Sequence, residues 1–201
     1  EQYFRHFFKI STFAVCPGIA SIFSDINPGR GSSHPELFQS TRHPQLEEDW
    51  LWITAAAEPS RRETFVVRNG TLQLIDLPGQ SFFYQFPVEV APVSDTLVLL
   101  TTRGIYRVAP NLQTSLIAND VRVVRAPRNT RTYITFKGSL FFSASLGGGS
   151  ELWWSEDGLS VEQFQDIREG FSGSGPRDFV ISTDFLFFSA AVDVSAESCT
   201  S

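Results

Sequence analysis

Short apolar runs that close on small or hydroxyl residues punctuate the chain, and four of them are alike. They are "LWITA" at Leu51, "LVLLT" at Leu97, and "LFFSA" at both Leu140 and Leu186, spaced 46, 43 and 46 residues apart. A second marker keeps the same period: "DINPGRGSSHPELF" at Asp25 and "DIREGFSGSGPRDF" at Asp166 lie 141 residues apart, three times 47, with Asp76-Leu77 of "IDLPGQS" between them. Two independent markers with one period define an internal repeat. Nowhere does an i, i+3, i+4, i+7 apolar stripe run long enough to predict a helix, so the expected class is all-β.

Each unit reads as four short strands. The first has "PELFQS", "DWLWITAAA", "ETFVVRNG" and "TLQLIDL", with Asn69-Gly70 as the turn between the last two. That dipeptide is a strong hairpin signal, because both turn residues take φ > 0. The second unit is more divergent, with "PVEVAPV", "TLVLLTT", "GIYRVA" and "QTSLIAN". The third has "RTYITF", "SLFFSAS", "SELWWSE", an Asp157-Gly158 turn and "LSVEQFQDI". Central strands such as "LFFSA" and "ELWW" are apolar at successive positions, which a sheet covered on both faces requires. The expected architecture is therefore a β-propeller of four-stranded antiparallel blades of about 46 residues, spanning residues 1–201 as one domain. Its units run approximately over 25–77, 78–119, 120–167 and 168–201, with 1–24 supplying strands of a terminal blade.

"SELWWSEDG", then "VEQFQDI", then Gly170, Ser172, Ser174 and Pro176, then "FLFFSA" resembles the ELWxxDGT repeats of bacterial secreted and surface proteins. "DINPGRGSSHPELF" and "KGSLFFSA" resemble the two other elements of that repeat, and Leu159 stands where threonine is typical. The resemblance spans about residues 20–201, and the second unit retains little of the motif. It implies a propeller-like fold and an exterior location, with no assigned activity.

The chain ends bear on ring closure. "TFAVCPGIASIFSDI" from Thr12 parallels "TFVVRNGTLQLIDL" from Thr64, whereas the last unit stops after two strands at "ESCTS". N-terminal strands completing the last blade give a closed four-bladed ring. A piece of a longer propeller fits the lack of any Met and the spacing of Glu197, 11 residues after Leu186 as Glu151 is after Leu140. Closure would bring Cys16 and Cys199 into one blade, where a disulfide becomes possible.

Charge and chemistry change this picture little. A net charge of -6 with scattered basic residues argues against nucleic-acid partners. The longest uncharged N-terminal run, Ile10 to Ser24, is 15 residues and is broken by Pro17-Gly18, short of the ~20 a membrane span needs. "SEDG" at Ser155 is similar to the Asp-box of sialidase-like propellers, itself a structural turn. "DINPGRGSS" lacks the oxygen set of a calcium loop, and the strand-to-helix context of a phosphate loop is not visible. His6, His34 and His43 show no metal-ligand spacing and read as exposed loop residues. Glu47-Glu48-Asp49 and Glu156-Asp157 read as solvated acidic turns, though carboxylate pairs also serve glycoside cleavage. Asn69-Gly70-Thr71 is also a glycosylation sequon. Trp153 and Trp154, adjacent on a strand, point to opposite faces, and both are expected to be buried between blades with their indole N–H groups partnered. The functional expectation is a non-catalytic extracellular or surface propeller that binds a protein or glycan ligand, without metal or cofactor. The alternative is a carbohydrate-active hydrolase or lyase with acids at the central funnel.

Overall fold

A computed structural model describes residues 37–58, 61–78, 87–124 and 130–192, and every regular element among them is a β-strand. The first sheet is β1 (Leu37–Arg42), β2 (Asp49–Glu58), β3 (Arg61–Arg68) and β4 (Thr71–Ile75), hydrogen-bonded in chain order. The second is β5 (Pro87–Val93), β6 (Thr96–Thr101), β7 (Gly104–Val108) and β8 (Thr114–Asn119), in the same order. The third holds β10 (Tyr133–Phe136), β11 (Ser139–Ser145), β12 (Glu151–Ser155) and β13 (Glu162–Gln165), with the short β9 (Arg122–Val123) pairing on β11 beyond β10. The fourth has β14 (Arg177–Ser182) and β15 (Phe185–Ser189). All pairings are antiparallel.

Local chemistry sets the hairpins. Asn69 and Gly70 have φ of 49° and 73°, so a two-residue turn joins Arg68 and Thr71. Lys137 and Gly138 do the same between β10 and β11, with φ of 51° and 86°. The turn at Asp157-Gly158 is longer than expected. Asp157 Oδ1 accepts the N–H groups of Leu159 and Ser160, at 2.8 and 3.3 Å, which holds those residues out of the ladder. The strand expected from Leu159 therefore starts at Glu162 and ends at Gln165.

The sheets stack through their faces. Leu97 and Leu99 of β6 pack with Trp50, Trp52 and Val66 of the first sheet. Val98 and Leu100, one residue out of phase, pack with Leu140, Phe142 and Trp153 of the third. All six residues of β6 are buried, because alternate side chains enter two different cores. A third core joins Ile134, Phe141 and Leu152 to Phe179 of the fourth sheet, with Leu186 and Phe188 packed against it. First strands lie side by side, β1 by β5, β5 by β10 and β10 by β14. The fourth strands are less covered: in β4 only Ile75 is buried, β8 has no buried residue, and all four residues of β13 are exposed. Residues 1–36 and 193–201, with Cys16, Cys199, His6, His34 and Glu197, lie outside the described residues.

Candidate functional site

The tryptophan pair sits in the middle of this stack. Trp153 pairs with Phe142 on β11 and enters the core shared with the second sheet, 7% exposed. Trp154 pairs with Phe141 and faces the fourth sheet, packed against the core of Phe179 and Ile134. Two details correct the expectation. Trp154 is only half-buried, with Phe164 of the exposed outer strand β13 edge-on to its ring at 5.5 Å. And the partners are unequal: Trp154 Nε1 donates to Glu162 Oε1 at 2.8 Å, whereas Trp153 Nε1 is buried without an acceptor. The faces into which the two side chains point differ in polarity, one an apolar core and the other the edge of an acidic turn.

Trp154, Ser155, Glu156, Asp157, Ser160 and Glu162 line a cleft of about 100 Å³. Ligand pockets usually hold several hundred Å³, so this space suits a solvent molecule or a single functional group. Two of its three carboxylates are committed: Asp157 caps its own turn and Glu162 holds Trp154. Gly158 is buried, and a Cβ there would lie 2.4 Å from Thr96 Cγ2 of the second sheet. Gly158 thus serves inter-sheet contact and Asp157 its own turn, and Asn69 and Gly70 form an exposed turn at the end of β3.

Glu151, the acid of "ELW", is buried among donors. Its carboxylate accepts Ser174 N at 2.7 Å, Ser174 Oγ at 2.6 Å and Ile167 N at 3.1 Å. It binds β12 to the segment that leads to the fourth sheet. In the same place Gly149 and Gly173 meet so closely that a Cβ on Gly149 would stand 2.2 Å from Gly173 N.

The strongest grouping of titratable chemistry lies on the first strands. Gln39 on β1 donates from Nε2 to Val90 O at 2.6 Å and accepts Val90 N at Oε1, 2.8 Å, completing the free edge of β5 like an added peptide unit. Beside it, Glu89 points toward the third sheet, where the Tyr133 hydroxyl donates to its carboxylate. Burial raises the Glu89 pKa above the ordinary carboxyl value, against the pull of Tyr133, the Val90 N–H and Gln39. Burial, then Glu89 itself, pushes Tyr133 upward and keeps it a hydrogen-bond donor. Such a carboxyl can accept a hydrogen bond from a hydroxyl group. Glu89 was not recognisable in "PVEVAPV", because its significance depends on a neighbour 44 residues away.

His43 also departs from expectation: it is fully buried, its ring tilted against Trp50 with centroids 4.7 Å apart. Its Nδ1 accepts Leu46 N at 3.4 Å, and its Nε2 is buried without a partner. Glu48, read as a solvated acid, accepts Arg68 Nε at 2.6 Å, and Arg68 in turn donates to Pro110 O in the second sheet and covers Trp50. Among the described residues no three His, Cys, Asp or Glu side chains gather as a metal site, and no helix is long and apolar enough to cross a membrane. The chain matches no protein-family model and no curated protein.

Proposed function

We propose that the chain is a β-propeller-type module of ELWxxDGT-like repeats that acts outside the cell as a binding or scaffolding element for a protein or glycan. One observation supports this above the rest: the repeat positions are consumed in packing one sheet on the next. Leu97, Leu140 and Leu186 each face the preceding sheet, while Trp52, Val98 and Phe141, one residue after the repeated leucine, face the following one. Adjacent first strands and outlying fourth strands are what blades around an axis require. The motif residues Glu151, Trp153, Asp157 and Gly158 hold loops and interfaces, which fits a scaffold whose recognition lies in variable loops. The exterior location rests on the resemblance alone.

The alternative, a carbohydrate-active hydrolase or lyase, draws on Glu89, a half-buried carboxyl of raised pKa on a first strand. Glycoside cleavage uses two carboxyls about 5–10 Å apart across the substrate, and the contacts of Glu89 are Tyr133, Gln39 and a backbone amide. A glycan array and a broad glycosidase assay on one preparation separate the readings. Binding without turnover is expected. Turnover abolished by Glu89→Gln would establish the enzyme instead.

A further inference from the structure

The turn that joins β1 to β2, residues 43–48, closes around a buried imidazole. His43 N donates to Glu48 O at 2.8 Å, and Glu47 N, in a residue with φ of 53°, donates back to His43 O at 2.9 Å. The ring has no exposed surface and leans on Trp50. A neutral imidazole carries one N–H. Because Nδ1 accepts from Leu46 N at 3.4 Å, that hydrogen belongs on Nε2, which finds no acceptor. Through this turn the first sheet grips the second. Leu46 packs on the core that holds Leu97 and Tyr106, and Gln45 Nε2 donates to Asp95 Oδ2 at 2.9 Å. Glu48 holds Arg68, which reaches Pro110 O.

We propose that His43 is an acid-operated latch: a proton on its ring releases the 43–48 turn from the second sheet while the sheets themselves stay folded. The closed turn cannot house an imidazolium. The added proton must enter at Nδ1, where the Leu46 N–H already points, so two donors would face each other, and Nε2–H would still lack an acceptor. The charged groups around the ring are Arg68 from β3, Glu48 from the turn and Asp95 from the turn after β5. Arg68 repels the cation. Glu48 and Asp95 attract it, but Glu48 is engaged by Arg68 and Trp50, and Asp95 by Gln45. Burial and then Arg68 outweigh the two acids and hold the folded pKa below the ordinary histidine value. Opening frees the ring to water, where its pKa returns to about 6.5. The closed form is therefore fully favoured above that value and loses ground as pH falls toward the folded pKa, by up to about tenfold per pH unit. Release stays local, because the β1–β2 ladder begins outside the turn at Arg42 and Asp49, and β1 keeps its own hold on β5 through Gln39 and Val90.

Amide exchange of the full chain, followed by NMR from about pH 5 to about pH 8 and expressed as protection factors so that the intrinsic pH dependence cancels, reads the latch directly. Protection of the His43, Leu46 and Glu47 amides is expected to hold above about pH 6.5 and to fall by up to about tenfold per pH unit below it, with β6 amides unchanged. His43→Gln and His43→Phe, which cannot take the charge, are expected to remove that dependence. The His43 ring-nitrogen shifts should titrate at the same midpoint as the turn amides. Flat protection of the turn in the parent overturns the proposal. So does a loss that survives both substitutions, which assigns it to another group, and so does a parallel loss in β6, which marks general acid unfolding. A ring that titrates at a midpoint different from the turn amides overturns it equally, and that comparison needs no variant.

Discussion

Two titratable residues sit in interfaces that disfavour their charge, and they respond to pH in opposite directions. His43 is held neutral chiefly by burial, with Arg68 adding to the depression and Glu48 and Asp95 opposing it. Its folded pKa lies below the unfolded value, so stability present above about pH 6.5 is lost as pH falls toward the folded pKa. Glu89 has a raised folded pKa, so its contribution is fully present below the unfolded carboxyl pKa and is lost as pH rises through the folded one. Urea titrations across pH 4–8 should therefore show His43→Gln flattening the loss of stability just below pH 6.5. Glu89→Gln should stabilise the protein at pH 7 relative to its effect at pH 4. Parallel pH curves for parent and variants would contradict both assignments. For the tryptophans, Trp153→Ala is expected to cost about 3–5 kcal/mol and Trp154→Ala less, because only the first ring is enclosed. Adjacency along the chain carries no hint of that inequality, nor of the bare Trp153 N–H. Both depend on which core each face meets.

Hairpins were the most readable elements, because Asn69-Gly70 states its own backbone conformation. Gly70→Ala should cost about 1 kcal/mol, the ordinary penalty for a side chain at φ > 0, since open space surrounds it. Gly149→Ala is a different case: the new Cβ would overlap the Gly173 backbone, so the β11–β12 loop or the segment before β14 must move. Its cost should exceed that of Gly70→Ala severalfold, as measured by chemical denaturation, and equal costs would refute the close approach. Glu151→Gln tests the same joint. An amide presents an NH₂ group to Ser174 or Ile167 donors, so a loss of about 2–3 kcal/mol is expected. The strand lengths of the second unit were legible as well, with "PVEVAPV" and β5 coinciding at residues 87–93. The start of β13 was not, because the Asp157 side chain competes with the ladder for backbone N–H groups, a contest that alternation does not record.

At the scale of the molecule, the repeat period located four sheets, and apolar residues at successive positions in the central strands announced that both faces would be covered. What the period could not supply was the polar joinery between sheets: Gln39 completing the edge of β5, Arg68 reaching Pro110 O, and Thr135 Oγ1 donating to Pro92 O. Each joint links residues about one repeat apart, so no local window contains both partners. A stack joined in this way should have graded rather than uniform stability, since each sheet depends on its neighbours. β6 is buried along its whole length between two cores, and β11 is buried at its five central positions. β14 and β15 have one covered face and several exposed apolar side chains. Native-state hydrogen exchange at low concentration should therefore show β6 and β11 amides exchanging only through global unfolding, while β14 and β15 open at lower free energy. Uniform protection across all four sheets would mean that the fourth is held by contacts other than the core it shares with the third, and the stacked account of stability would fail.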